Sequence, residues 1–166
     1  PAGHVVTHLR MSGRLCVEDA GTPRGSYERV ALALDDGREL RFLDVRKFGR
    51  MIHARALEPL FDKLGVEPLS GDFTPAFLRD ALRRRERRLK PLLLDQSPVC
   101  GLGNIYVDEA LFTARLHPLA LARTVRGARS DRLHEAIRST LEAAIEREGS
   151  SFDTFYRTPE GQPGSY

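Results

Sequence analysis

Residues Lys90–Pro118 read KPLLLDQSPVCGLGNIYVDEALFTARLHP. The apolar run at the start predicts a short helix, and Ser97-Pro98 with Gly101–Asn104 predicts two tight turns. A second helix is predicted to open at Asn104, where free N–H groups and the helix dipole favour an anion. We therefore expect a helix–double turn–helix that holds an anion with Lys90 and Asn104. The alternative is a plain helical hairpin in which Asn104 only caps its helix.

The run Arg83-Arg84-Arg85-Glu86-Arg87-Arg88 lies just upstream. Clustered arginine is typical of a phosphate-binding face, although a solvated helix face has the same composition. The excess of basic over acidic residues in the whole chain is small, with a formal net charge of +3 and a pI near 9.2. The position of the run, rather than the net charge, favours a nucleic-acid backbone as the anion.

Length and composition bound the class of protein. The 166 residues suffice for one domain with a sizeable core or for two small ones. Cys16 and Cys100 lie far apart and indicate neither a disulfide framework nor a zinc site, so a reducing compartment is the default. The sequence has no apolar run of about 18 residues, and we expect no membrane segment.

The order of predicted elements gives an α+β class. Strands are predicted over His4–Arg10 and Arg14–Glu18, a hairpin turns at Asp35-Asp36-Gly37, and Met51–His53 adds one more strand. Helices follow over residues 56–64 and 75–87, the latter capped by Thr74. A long helix is predicted from a Ser130 cap to Gly149, with a buried stripe of leucines and isoleucines at steps of four: Leu133, Ile137, Leu141 and Ile145.

A second candidate group lies at strand ends and turns, and consists of Met11, Arg46 and Phe48. Apolar side chains on exposed loops beside an arginine can enter a DNA duplex as a wedge. The alternative is ordinary packing, with Phe48 under its own turn and Arg46 paired with Asp44. The strand histidines show no metal-ligand spacing.

Several motifs together resemble one family, the bacterial formamidopyrimidine-DNA glycosylases, over essentially the whole chain. Those enzymes remove oxidised purines such as 8-oxoguanine from DNA and then nick the strand. The motifs occur in the family's order and spacing: His8-Leu9-Arg10-Met11-Ser12-Gly13, Asp44-Val45-Arg46-Lys47-Phe48-Gly49, Leu64–Ser70, Leu94-Asp95-Gln96 and Gly101–Phe112.

The resemblance implies roles for individual side chains. Lys90 and Asn104 would bind DNA phosphates from the helix–two-turn–helix. Met11 and Arg46 would fill the space left by a flipped lesion, with Arg46 facing the orphaned cytosine, while Phe48 wedges into the base stack. The DNA backbone would also be approached by three further residues: His8, Arg85 and Tyr27, the last aligned where many members carry a histidine.

The resemblance also implies a division of the chain. Residues 1–55 would be the C-terminal part of an antiparallel β-sandwich, 56–74 a linker with a short helix, 75–149 the DNA-binding helical domain, and 150–166 the lesion-recognition loop. The fold class is thus α+β, a partial β-sandwich followed by a helix–two-turn–helix domain.

The family's chemistry proceeds through an imine with an N-terminal proline amine, followed by β,δ-elimination. The family opening is Pro-Glu-Leu-Pro-Glu, whereas Pro1 precedes Ala2 and a predicted strand. We therefore expect no catalytic residue, metal or cofactor in this chain, with zinc confined to the family's C-terminal zinc finger. The chain is expected to be inactive alone.

The expected partner is double-stranded DNA containing oxidised purines, bound by a monomer in the bacterial cytoplasm at the nucleoid. Three alternatives remain open at this point. One is an endonuclease VIII-type glycosylase for oxidised pyrimidines, another is a catalytically silent DNA-binding module, and the third is an RNA binder with the same helical motif.

Overall fold

A computed structural model describes residues 3–149, 158, 159, 162, 164 and 165. The chain divides into two compact units, one of residues Glu58–Ala143 and one that joins the segment up to Leu57 to the segment from Ala144 onward. The elements confirm the predicted α+β class, with strands first and helices after them. The predicted four-part division stays a prediction, and most of its segment 150–166 lies outside the described residues.

The β unit contains two small antiparallel sheets. Its strands are β1 (His4–His8), β2 (Gly13–Asp19), β3 (Glu28–Ala33), β4 (Arg38–Asp44) and β5 (Arg50–Ala54). Strand β1 pairs with β5, and β4 lies between β2 and β3. The predicted hairpin is confirmed: Gly37 has φ +84°, and the Leu34 N–H donates to the Arg38 carbonyl.

Arg41 is the buried anchor of the three-stranded sheet, with only 1% of its surface exposed. Its guanidinium binds the carboxylates of Glu28 (3.0 Å) and Glu39 (2.9 Å) and donates to the Thr22 carbonyl (2.7 Å). A buried charge is tolerated when it is paired and fully hydrogen-bonded. Arg41 thus ties the loop before β3 to the middle strand.

The loop between β4 and β5 is closed by the buried carboxylate of Asp44. It accepts the Ser12 hydroxyl (2.6 Å) and the backbone N–H groups of Arg46 (3.2 Å) and Gly49 (2.7 Å). These hydrogen bonds, the Ser12 one above all, lower the pKa of Asp44. A Cβ at Gly49 would collide with the Phe42 ring, so the loop needs glycine there. One carboxylate therefore shapes this loop and joins it to the β1–β2 loop.

The helical unit packs short helices around one apolar core. Its last helix, α5, extends three residues beyond Ala143, where the unit ends. The helices are α1 (Glu58–Phe61), α2 (Pro75–Arg83), α3 (Leu89–Leu93), α4 (Asn104–Thr113) and α5 (Ala128–Glu146), with one 3-10 turn at Ala122–Thr124. Their buried side chains form a single cluster that includes Leu78, Leu89, Val107, Leu133 and Ile137. The predicted Thr74 cap is confirmed, because its hydroxyl accepts the Phe77 N–H.

Several predicted boundaries are wrong. Strand β1 ends at His8, because Arg10 has a left-handed φ of +56°. Helix α2 ends at Arg83 instead of residue 87, since the chain then runs beside a later segment, where Ala122 N–H donates to the Arg87 carbonyl. The predicted helix over 56–64 is only the four residues of α1.

Two predictions for α5 are also wrong. Ser130 does not cap the helix: it lies inside the first turn, and its hydroxyl donates to the Gly127 carbonyl at 2.7 Å. The buried stripe ends at Leu141, since Ile145 is 66% exposed. The helix stops at Glu146, three residues before Gly149, whose φ of +88° is left-handed.

The double turn between α3 and α4 is held by the Gln96 carboxamide. Its nitrogen donates to the carbonyls of Leu94 (3.1 Å) and Leu102 (3.0 Å), and its oxygen accepts the Gly101 N–H (2.9 Å). Gly101 has φ +78°, a conformation that favours glycine. A single side chain therefore satisfies the backbone of both turns.

The segment around Gly65 supports the double turn from outside. The Gly65 N–H donates to the Gln96 carbonyl (2.8 Å), Val66 N–H to Pro98 (3.2 Å) and Cys100 N–H to Val66 (3.1 Å). A Cβ on Gly65 would overlap the backbone carbonyls of Ser97 and Pro98. The glycine is required by this close backbone approach.

The Gly65 contact gives a stability prediction. Gly65→Ala is expected to lower the free energy of unfolding by about 1–3 kcal/mol, because backbone atoms must separate to admit the methyl group. Gly71→Ala is the matched control, since a Cβ there meets nothing within 4 Å. Urea unfolding followed by circular dichroism measures both, and equal effects of the two changes would contradict the contact.

Asp95 gives a pH prediction. Its carboxylate accepts the Ser97 N–H (3.1 Å) and hydroxyl (2.8 Å) and pairs with Arg87 (2.5 Å). The Ser97 backbone N–H, then Arg87 and the Ser97 hydroxyl, lower the pKa of Asp95 from 3.8 to about 2. Because the folded pKa is depressed, this stabilisation is complete above pH 3.8 and is lost as pH falls through 2.

We expect Asp95→Asn to destabilise the protein by about 1–2 kcal/mol at neutral pH, the range for hydrogen bonds to a charged group. The difference from the unsubstituted protein should shrink as pH falls below 3.8 towards 2. Asp62→Asn, at an exposed carboxylate with no partner among the described residues, should show no such trend. If the difference in unfolding free energy between Asp95→Asn and the unsubstituted protein does not change with pH, the ionised Asp95 carboxylate does not stabilise the fold.

Candidate nucleic-acid interface

The start of α4 presents free hydrogen-bond donors. Gly103 is the N-cap and has no side chain to satisfy the first turn, so the N–H groups of Asn104 and Ile105 lack acceptors within the described residues. The Asn104 side chain is exposed and likewise makes no hydrogen bond to the described part of the protein. The prediction that Asn104 opens the helix is confirmed, and the alternative in which it caps the helix is wrong. This helix end can receive an anion.

Lys90 lies beside this helix and is held by an ion pair. Its Nζ contacts the Asp108 carboxylate at 2.8 Å, which links α3 to α4. Asp108 lies beyond the first turn of α4, and its carboxylate fixes the position of the lysine. The ammonium has three donors, so two remain for a phosphate while one points to Asp108.

The arginine run is only partly available for a ligand. Arg83 and Arg84 both pair with Asp80, Arg87 pairs with Asp95, and Arg88 donates to the Leu119 carbonyl (2.9 Å). Arg85 is exposed, and its guanidinium has no partner among the described residues. It lines a groove of about 640 Å³ with Phe77 and Pro98. Of the run, Arg85 is the arginine best placed to bind an anion.

In the β unit, the structure brings two predicted side chains into contact. The Arg46 Nη1 lies 3.8 Å from the Met11 sulfur, and both side chains are exposed, Met11 by 60%. The contact joins the β1–β2 loop to the loop after β4. The Arg46 N–H is fixed by Ser12 and Asp44, so the backbone that carries the guanidinium is rigid.

Phe48 lies on the same loop as Arg46 and is 57% exposed. The alternative that Phe48 packs under its own turn is therefore wrong. The Asp44 carboxylate accepts the Arg46 N–H, and within the described residues it forms no ion pair with the Arg46 guanidinium, so the alternative pairing of the two side chains is also wrong. Lys47 between them has φ +58°, and such left-handed residues outside glycine are uncommon and cluster at functional sites.

His8 ends β1 with a defined tautomer. Its Nδ1 accepts the Arg10 N–H at 3.1 Å, which leaves the proton on Nε2. Burial, with Arg10 and Arg50 nearby, lowers the pKa of His8. A neutral imidazole with a free N–H can donate one hydrogen bond to a phosphate oxygen. Tyr27 is half exposed just before β3, and its carbonyl accepts the Asp44 N–H (3.0 Å).

The sequence-predicted residues thus form two groups, each within one unit. Lys90, Asn104 and Arg85 lie in the helical unit, and His8, Met11, Tyr27, Arg46 and Phe48 in the β unit. Sequence reasoning missed the residues whose hydrogen bonds shape the neighbouring loops and turn, chiefly Ser12, Asp44 and Gln96. Their signal was present: each is a polar residue directly beside a predicted turn or strand end.

The described residues offer no metal centre. No three His, Cys, Asp or Glu side chains lie together in that part of the chain. Burial raises the pKa of both thiols, Cys16 and Cys100, and Glu67 beside Cys100 raises its pKa further. None of the described helices is long and apolar enough to cross a membrane.

Two known family models match this chain, one mostly in the helical unit and one in the β unit. The family model described as Formamidopyrimidine-DNA glycosylase H2TH domain matches residues 64–156. The model described as Formamidopyrimidine-DNA glycosylase N-terminal domain matches residues 2–51. The two matches fall on the segments that carry the two groups of predicted residues.

Similar proteins carry the same family name as the matching models. Formamidopyrimidine-DNA glycosylase of Desulforamulus reducens is 44% identical over 98% of this chain, and that of Symbiobacterium thermophilum is 46% identical over 96%. The chain spans only 60% and 53% of these two relatives.

Among solved structures, Lactococcus lactis Fpg bound to abasic-site DNA matches with TM-score 0.86 and 34% identity, over 97% of this chain and 60% of that chain. A variant of the same protein bound to Fapy-dG-containing DNA matches with TM-score 0.87 over the same shares. By sequence and by structure, the chain belongs to the formamidopyrimidine-DNA glycosylase family.

Proposed function

We propose that this chain binds duplex DNA at an oxidised purine and holds it for base excision. The observation that carries the proposal is the contact between Met11 and Arg46 on two loops tied together by Asp44. Two exposed side chains, one apolar and one cationic, thereby lie in contact without any ligand. That arrangement suits insertion into a base stack better than an ordinary surface role.

The β unit would occupy the gap left by an extruded base. Flipping a nucleotide costs a few kcal/mol of stacking and pairing, and a plug of protein atoms offsets part of it. Met11 supplies apolar volume, Arg46 supplies donors for the base left without a partner, and Phe48 supplies a ring that can stack. The hydrogen bonds of Asp44 fix the loops in advance, so little ordering is needed on binding.

The helical unit would hold the phosphate backbone. The N–H groups at the start of α4, the Asn104 amide and the Lys90 ammonium all favour an oxygen anion, and Arg85 adds a further charge. Such contacts fix register and carry no base information. His8 and Tyr27 would add neutral donors to the backbone from the β unit.

Base removal and strand nicking belong to this proposal as the activity of the whole protein. Family membership supports a bifunctional glycosylase and lyase, and two solved structures of one relative and its variant contain DNA with an abasic site or Fapy-dG. No described side chain is assigned the nucleophile. The proposed partner is double-stranded DNA in the bacterial cytoplasm.

The Lys90–Asp108 pair yields two changes of opposite sign. Lys90→Ala should weaken binding to lesion and intact duplexes alike, by about tenfold, and reduce the slope of log affinity against log salt by about 0.9. Asp108→Asn should strengthen binding a few-fold, since the ammonium no longer shares a carboxylate. Lys63→Ala is the control, at an exposed lysine without a described partner. Fluorescence anisotropy at several salt concentrations measures all three, and equal slopes for Lys90→Ala and Lys63→Ala would remove Lys90 from the interface.

Arg46→Ala tests lesion recognition itself. The preference for a duplex with an abasic-site analogue opposite cytosine over the intact duplex should fall by about tenfold, or ~1.4 kcal/mol, because the unpaired base loses its donor. Arg55→Ala removes an exposed arginine of the same unit and should keep the preference. Competition binding with oxidised purine and oxidised pyrimidine duplexes is measured beside them. If Arg46→Ala keeps the preference for the abasic-site duplex, Arg46 does not fill the gap left by the extruded base.

A further inference from the structure

The helical unit contains a second cluster of arginines, at the side of α2 that carries Arg79 and Arg83. A cavity of about 270 Å³ lies there, lined by Arg79, Arg83, Arg126, Val125 and Gly127. This volume is smaller than the usual pocket for a drug-sized ligand. Its size suits a small anion with some water.

Arg126 is the member of the cluster that a ligand can use most fully. Its Nε donates to the Arg123 carbonyl at 2.7 Å, which anchors the guanidinium. No carboxylate pairs with it among the described residues, so both terminal amino groups are available. A planar guanidinium fixed at one nitrogen presents two parallel donors, the geometry that matches a phosphate.

The remaining charges near the cavity are compensated only in part. Arg79 pairs with Asp131 at 2.6 Å, and Asp80 is shared between Arg83 (3.0 Å) and Arg84 (3.0 Å). Of the three arginines that line the cavity, only Arg126 has no carboxylate partner among the described residues. A local excess of positive charge around a cavity attracts a polyvalent anion.

The cavity lies away from Lys90 in the same unit. The segment after α4 runs antiparallel to the segment before α3: Lys90 N–H donates to Pro118, Leu89 N–H to Ala120, and Ala122 N–H to Arg87. Residues 125–127 continue this segment away from Lys90 and beyond the 3-10 turn. The arginine cluster is therefore a separate binding position from the start of α4.

From these observations we propose a second phosphate-binding site formed by Arg126, Arg83 and Arg79. Its ligand is a phosphate group, supplied either by a duplex backbone outside the lesion contact or by free phosphate. The duplex source rests on the proposed function, whereas the free-phosphate source does not. No base contact is involved, so the site adds affinity for DNA without adding preference for a lesion.

The experiment uses Arg126→Ala and Arg126→Lys, with Arg55→Ala as the control. Binding to intact and lesion duplexes is measured across salt, and thermal unfolding is measured in inorganic phosphate against chloride at equal ionic strength. Arg126→Ala should lose about 0.9 from the salt slope and bind both duplexes several-fold more weakly, with the lesion preference unchanged. Arg126→Lys should keep most of the slope, because it keeps the charge.

The outcomes separate the two sources. A lower salt slope assigns the site to duplex phosphates. Phosphate stabilisation that Arg126→Ala abolishes, with an unchanged slope, assigns it to free phosphate. If the protein binds no duplex while phosphate still stabilises it through Arg126, the proposed function fails and this site stands. If Arg126→Ala matches Arg55→Ala in both measurements, the site does not exist.

Discussion

The arrangement of the β unit depends on one buried carboxylate. Asp44 accepts hydrogen bonds from the Ser12 hydroxyl and from the N–H groups of Arg46 and Gly49, and so connects two loops that are far apart in sequence. A buried carboxylate without these donors would be strongly unfavourable, so its ionised state and the loop geometry require each other. The exposed side chains on those loops are positioned by residues that no ligand would touch.

The helical unit applies the same principle with a neutral group. The Gln96 carboxamide satisfies three backbone groups of the double turn, and Gly65 lets a neighbouring segment pack directly on that turn. The N–H groups of Asn104 and Ile105, which lack acceptors within the described residues, thus follow a turn whose own backbone is hydrogen-bonded. In both units a polar side chain inside the fold fixes the surface that would meet DNA. The residues that fix this surface are therefore different from those that would contact DNA.

Local features were predictable from the sequence. The hairpin at Asp35–Gly37 and the helix at Asn104 depend on neighbouring residues, and both were predicted correctly. The predicted end of α2 was wrong, because its last turn is replaced by hydrogen bonds to residues about 35 positions later.

The networks of Arg41, Asp44 and Gln96 could not be predicted, since each joins groups that are brought together only by the fold. The candidate side chains themselves were found through family resemblance. Periodicity and spacing left Met11, Arg46 and Phe48 open to an ordinary packing role. What the structure adds is the contact between Met11 and Arg46, which follows from a pairing of loops that no local pattern encodes.

The environment of Cys100 has a consequence for redox chemistry. This thiol lies in the double turn, where burial and the nearby Glu67 carboxylate raise its pKa. Peroxide reacts with the thiolate and not with the thiol, so a raised pKa slows conversion to sulfenic acid. Under the proposed function the protein works where oxidants have damaged bases. The carboxylate of Glu67 thereby lowers the reactivity of a thiol in the turn that would hold the phosphate backbone.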